Sequence, residues 1–295
     1  MSGSFKGLVD QPELGVGIGT SVNRQQTASM LFDNFTSRRA DKINEVVQYW
    51  ELYGGLGVFP FKSAPELRAE IPKNITLLAH TAGLDVWSAD DTERDLFRKN
   101  VEAVVALQSP WCSEDICHFV SNGPNVGVNF GLILNEDSLH NAIRRVKIIT
   151  KNVGVPFLAE NPPVEFVVGS MDLAYYFRVL SNETDIGLVL DLGHIYAYSL
   201  LTHQDPRELL ERYPLDRVCE IHIAGGYLDG DGLYVDNHAY PILPQVMELL
   251  GPALAKSRNL KALTYEFYEM PLSLAYSTFV ELRKVYQTIR ANGGI

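Results

Sequence analysis

GLVLDLGH at residues 187–194 and VCEIHIA at residues 218–224 decide the reading of the fold. Each is a short run of apolar and β-branched residues, as expected of a strand buried on both faces. Each also carries acids and histidines toward its end, residue types that are rarely buried without a partner. Six further runs share the character: GVGIGT at 15–20, YWELY at 49–53, ITLLAH at 75–80, WCSEDI at 111–116, PFLAEN at 156–161 and LTYEF at 263–267. Helical patterns separate them. Residues 90–107 open on an acidic cluster and continue with apolar residues at helical spacing; 136–153, 172–181 and 206–213 read as helices too. Eight strands alternating with helices predict a parallel sheet covered by helices. Eight units in a row favour a closed (β/α)8 TIM barrel over an open doubly wound sheet.

The length of 295 residues suits one such barrel, which typically needs ~250. No linker or low-complexity tract divides the chain. The expectation is one domain over residues 1–295, structured from about 10 to 290 after a short polar N-terminal tail. A formal net charge of -11 argues against nucleic acid as a partner. No apolar run reaches the ~18 residues that span a bilayer, and MSGSFKGLVDQPELG lacks an apolar signal core, so the expected setting is cytoplasmic, away from membranes. Three cysteines, Cys112, Cys117 and Cys219, form no disulfide framework, and packing explains them best.

A barrel carries its active site at the C-terminal ends of its strands. Those ends hold His80, then Glu114 and Asp115 with His118 beyond, then Glu160 and Asn161, Asp191 and His194, Glu220 and His222, and Glu266. VDNHA after the seventh run adds Asp236 and His238. One such residue is commonplace; five consecutive strands ending this way are not. Carboxylates gathered at one mouth repel each other unless cations sit among them. Mixed imidazole and carboxylate donors suit iron, manganese or zinc better than calcium. The number of candidates exceeds the needs of one ion, so two or three ions sharing carboxylates are expected. GVGIGT lacks the spacing and context of a dinucleotide fingerprint and reads as a tight first strand. GYLDGDG at 226–232 reads as a polar turn at the mouth.

The order of AHTAGLD, AENPP, VLDLGHIY, EIHIAG, VDNHA and YEF, one motif per strand or loop, resembles the DUF692 family, the multinuclear non-heme iron-dependent oxidative enzymes. The resemblance runs from GVGIGT to the eighth strand. It implies a TIM barrel holding two or three iron ions (Fe2+/Fe3+), using dioxygen to modify a ribosomally made precursor peptide. The modified residue is often Cys and in other cases Asp or Asn, and a small partner protein can present the peptide. By position, it implies metal ligation by His80, Glu114, Glu160, Asp191, His222, Asp236, His238 and Glu266, with Asn161 on the substrate side. The chain departs from the pattern twice. Ser113-Glu114-Asp115 stands where an acid and a His are usual, and His194 stands where Asn is usual, so Asp115 and His194 join the expected metal set. Two other readings stay open on residues alone: a divalent-metal-dependent sugar isomerase or phosphodiester hydrolase, since xylose-isomerase-like and endonuclease-IV-like TIM barrels cluster the same residue types, and a non-catalytic binding protein.

Overall fold

The computed structural model describes residues 8, 10–21, 47–53, 63–87, 95–120, 125–268 and 270–292. Eight strands close a parallel barrel: β1 (Gly15–Ser21), β2 (Tyr49–Tyr53), β3 (Thr76–Thr81), β4 (Cys112–Asp115), β8 (Phe157–Glu160), β10 (Gly187–Asp191), β11 (Val218–Ala224) and β14 (Ala262–Glu266). Each pairs with its chain neighbour among the eight, and β14 closes on β1. All eight expected runs are barrel strands, so the (β/α)8 reading holds. Around them lie α1 (Ala64–Glu70), α2 (Asp95–Leu107), α3 (Glu136–Val153), α4 (Leu173–Thr184), α5 (Leu192–Thr202), α6 (Pro206–Arg212), α7 (Pro244–Lys256) and α8 (Leu272–Asn292). Short accessory strands decorate the mouth: β5 (His118–Val120) with β6 (Asn125–Phe130), β7 (Leu132–Leu134) with β9 (Val167–Gly169), and the hairpin of β12 (Gly226–Leu228) and β13 (Tyr234–Asp236). The first part of the helical pattern expected at 90–107 lies outside the described residues.

Period-two alternation sorts the strand residues. Trp50, Leu52, Leu77 and Ala79 belong to the main apolar core, whereas Tyr49, Leu78, Trp111, Leu158 and Val189 form a second apolar cluster. Two residues after Tyr49, Leu78, Leu158 and Val189, on the same face of their strands, come Glu51, His80, Glu160 and Asp191. The barrel therefore has an apolar floor and a polar layer above it. The first strand makes room for both. A Cβ on Gly17 would lie 2.4 Å from the Tyr49 ring, and one on Gly19 would lie 2.8 Å from Cγ of Glu266. The glycines of GVGIGT thus allow close approach and do not form a phosphate loop.

The sixth run is shorter as a strand than its apolar string. β10 stops at Asp191, whose side chain accepts the His194 N–H at 2.7 Å and so caps α5 directly. The pattern hides this boundary because α5 is apolar on nearly every side and its first eight residues are buried. Of GYLDGDG, expected as a turn throughout, Gly226–Leu228 is strand β12 and residues 229–232 lie in the turn to β13, where Asp229 accepts the N–H groups of Asp231 and Leu233, each at 2.9 Å. The three cysteines are buried and unpaired. Among the described residues no helix is long and apolar enough to cross a membrane.

Candidate metal centre

Ten side chains converge above the apolar floor: the carboxylates Glu51, Asp115, Glu160, Asp191, Asp236 and Glu266, and the imidazoles His80, His194, His222 and His238. Register places them. His80 pairs with Tyr53 on one side and Ser113 on the other, Asp115 pairs with Glu160, and Asp191 with His222. Asp236 and His238 arrive from the hairpin, where His238 takes a left-handed backbone (φ 58).

His222 is central. Its Nδ1 lies 3.3 Å from Glu160 and 3.7 Å from Glu266, and its Nε2 lies 2.9 Å from Oε2 of Glu51. That last pair is close but not aligned as a hydrogen bond: both Nε2 of His222 and Oε2 of Glu51 are buried without a hydrogen-bonding partner. Buried oxygens of Asp115, Glu160, Asp191 and Asp236 share that condition. Lone pairs that converge without pairing suit a shared cation, since an orphaned buried polar atom is otherwise costly. Four overlapping triads have ligand atoms within 4.8 Å of one another: Glu51 with His80 and His222; Asp115 with Glu160 and His194; Glu160 with Asp191 and His222; Asp191 with His194 and Asp236. Glu160, Asp191, His194 and His222 each occur twice, the arrangement that neighbouring ions with bridging carboxylates require.

Three histidines have one ring nitrogen held by a neutral oxygen. Nδ1 of His80 is 3.0 Å from Oγ of Ser113, which donates on to Glu51 at 3.3 Å. Nδ1 of His194 is 2.7 Å from the Asn161 carbonyl. Nδ1 of His238 is 3.4 Å from the Tyr53 hydroxyl, and its ring stacks on Tyr268 at 4.6 Å. Each such partner orients a ring, leaving Nε2 toward the carboxylates, and the Asn161 carbonyl, which can only accept, also sets the tautomer of His194; ligating histidines are normally held in this way.

The charges are mutually dependent. Burial opposes a charged imidazole, but Asp115, Glu160 and Glu51 around His80 push it up to about 10. His238 is pushed up to about 9, against burial, mainly by Asp236. His194 and His222 are likewise raised, against burial, by the carboxylates around them, Asp191 and Asp236 for the first and Glu160 and Glu51 for the second. Burial, which the neighbouring imidazoles only partly offset, raises Glu160, Glu266 and Asp191, the last to about 6. Against burial, His222 holds Glu51 low and His238 holds Asp236 low. Without cations such a cluster must keep protons on its histidines; cations would displace them.

Glu51 was not among the residues expected from strand ends, because it lies inside YWELY. A glutamate within a wholly buried strand was the available signal. The structure does not bring Glu114 to the cluster. In an extended strand Glu114 and Asp115 face opposite sides, and register gives the inward side to Ser113 and Asp115. Glu114 instead accepts Thr81 Oγ1 and the N–H groups of Gly83, Leu84 and Asp85 at 2.7–3.1 Å, clamping the loop after β3. Asn161, expected on the substrate side, closes its amide on the Asp191 peptide in two 2.9 Å hydrogen bonds and positions the ends of β8 and β10. Glu220 lies at the edge of the cluster with its oxygens taken by Trp111 and Thr264. The side chain of His118 lies outside the described residues.

A cavity of about 270 Å³ opens onto the centre, lined by Tyr53, His80, Asp115, His194, Asp236 and His238 among others. Among the described residues neither lysine nor arginine lines it.

Residues 41–270 match the sequence model of the RiPP precursor modification enzyme family MbnB/TglH/ChrH. The chain belongs to this family. A UPF0276 protein of Acaryochloris marina is 30% identical over 242 residues, 81% of this chain and 83% of that protein. One from Shewanella sediminis is 24% identical, covering 82% of this chain and 83% of its own length. Among solved structures, the barrel resembles 3-keto-D-glucoside 4-epimerase of E. coli (TM-score 0.59, 14% identity, 92% of this chain and 99% of that one). It also resembles endonuclease IV of Thermus thermophilus (TM-score 0.53, 14% identity, 93% and 99%). At such identities the likeness is one of fold. Members of the MbnB/TglH/ChrH family modify ribosomally made precursor peptides, which makes the buried centre of this chain the candidate active site.

Proposed function

We propose that this chain is a multinuclear iron-dependent oxidase or oxygenase that modifies one residue of a ribosomally made precursor peptide, with dioxygen as oxidant. The observation that carries the reading is the set of unpaired buried donor atoms, from five carboxylates and His222, converging at the barrel mouth in a member of a peptide-modifying family. Two or three irons would be held by Glu51, His80, Asp115, Glu160, Asp191, His194, His222, Asp236, His238 and Glu266, with Glu160 and Asp191 suited to bridging. Iron, when bound, supplies one-electron redox chemistry that no side chain of the cluster has.

The protein supplies the rest. The apolar floor of Tyr49, Leu78, Leu158 and Val189 keeps water from reaching the cluster from below. Substrate and dioxygen approach through the cavity beside His80, Asp115, His194 and Asp236. Ser113, the Asn161 carbonyl and Tyr53 hold the imidazoles so that little reorganisation accompanies a change in oxidation state. The abundance of carboxylates favours the higher-charged ferric ion and so lowers the potential of the centre. The residue modified is Cys, Asp or Asn, side chains able to approach a metal through sulfur or oxygen. A small partner protein presenting the peptide fits the same reading.

The test is direct. Protein purified without oxygen is mixed with synthetic Cys-, Asp- and Asn-containing candidate precursor peptides, then exposed to dioxygen, and each peptide is weighed by mass spectrometry. A mass change on one residue, accompanied by oxygen uptake, supports the proposal. An unchanged peptide with a sugar epimer or a cleaved phosphodiester as product contradicts it.

A further inference from the structure

Next to the cavity over the centre runs a second one, of about 340 Å³, which shares Pro163, His194 and Asp236 with it. Its walls are mostly apolar: Val164 from the segment after β8, Ala197 and Leu201 from α5, and Leu233, Tyr234 and Val235 from the hairpin. At its edge stand two acids, Glu165, which is exposed, and Asp229, which is half-buried, and among the described residues no lysine or arginine lines it. A volume above ~300 Å³ is within the range of ligand pockets. Nothing in the proposed chemistry uses it.

We infer that this groove is a specificity subsite: it takes a large apolar side chain adjacent to the residue being modified, with a basic residue next along the peptide facing Glu165 and Asp229. Three features commit the groove to this occupant. It is continuous with the candidate centre through His194 and Asp236, so whatever fills it is covalently close to what reaches the centre. Its apolar walls give affinity only to an apolar side chain. Its acidic edge, in a chain of net charge -11, favours a cation and repels an acidic sequence. The inference rests on the peptide-modifying reading for the identity of the ligand, but binding in the groove does not depend on redox turnover.

The experiment uses the whole protein as purified, under argon, with three end-blocked pentapeptides: Lys-Phe-Cys-Phe-Lys, Lys-Ala-Cys-Ala-Lys and Glu-Ala-Cys-Ala-Glu. Placing the same flanks on both sides removes the question of chain direction. Calorimetry is expected to show the first binding at least about tenfold more tightly than the second, the low end of what burying a Phe side chain supplies. The third is expected to bind most weakly. Ala197→Trp, which fills the groove from α5, is expected to erase the advantage of Phe over Ala while leaving metal content unchanged. Glu165→Lys, at an exposed position that folding tolerates, is expected to weaken both lysine peptides and spare the acidic one. Equal affinity for all three peptides, or a Phe preference that survives Ala197→Trp in folded protein, overturns the inference. Failure of the oxidative reading is a separate result: a protein that prefers the Phe peptide but oxidises nothing keeps its subsite and loses its proposed reaction.

Discussion

Replacing Glu51 by Gln tests whether the carboxylate hidden in β2 is a ligand or only a counter-charge. Its Oε2 faces Nε2 of His222 at 2.9 Å and its Oε1 lies 3.9 Å from Nδ1 of His80, so it completes a triad of donors. The amide keeps the shape and removes the anion. Losing an outer partner of a metal ligand already lowers metal affinity 10–100-fold, so losing a ligand should reach at least about 100-fold, ~2.7 kcal/mol. Because bound metal stabilises the folded state by mass action, most of that loss appears in the melting temperature of metal-loaded protein. At roughly 2.1 cal/mol/K of unfolding entropy per residue, a chain of 295 residues shifts by about 1.6 °C per kcal/mol, so the metal-dependent gain in Tm should shrink by about 4 °C. Chelator competition gives the affinity, elemental analysis the stoichiometry and scanning calorimetry the Tm. A variant that binds the full metal complement with unchanged affinity and unchanged Tm gain refutes the reasoning and reduces Glu51 to a partner of His222.

Three further outcomes follow from the same geometry. In metal-free protein His80 and His238 are raised from 6.5 to about 10 and about 9, so their contribution to stability is full below pH 6.5 and is lost as pH rises through 9 to 10; calorimetry from pH 6.5 to 10 should show the metal-free Tm falling more steeply than that of loaded protein, and a parallel fall would contradict it. Glu114→Ala orphans three buried N–H groups after β3, at ~1–3 kcal/mol each, so a loss of about 3 kcal/mol or more in urea unfolding is expected, while the metal content of the folded protein stays the same. Tyr53→Phe removes the hydroxyl beside Nδ1 of His238; a drop of about tenfold in affinity for the most weakly held ion, with overall fold retained by circular dichroism, is expected.

The barrel was legible because each strand is a short apolar run and the helices between them are amphipathic. α5 was the exception: a helix buried on nearly all sides carries no periodic signal, so its first turn read as more of β10 and His194 read as a strand residue. The site was legible as a set of residue types at strand ends. Adjacent acids such as Glu114 and Asp115 could not be told apart without the register that turns Ser113 inward beside His80. Glu51 carries no strand-end signal, because it sits one pleat before the end of β2, on the face it shares with Tyr49 and Tyr53. The role of Asn161 depends on which backbone its amide meets, and that is a tertiary fact.

Elemental analysis of protein purified without oxygen, after growth with iron, manganese and zinc all supplied, reaches the central claim most directly. Two or three irons per chain, lost in His222→Ala and Asp191→Ala but retained in Glu114→Ala, is the result expected. Stoichiometric zinc or manganese with no iron, or iron that survives both cluster substitutions, would contradict a multinuclear iron centre at the mouth of this barrel.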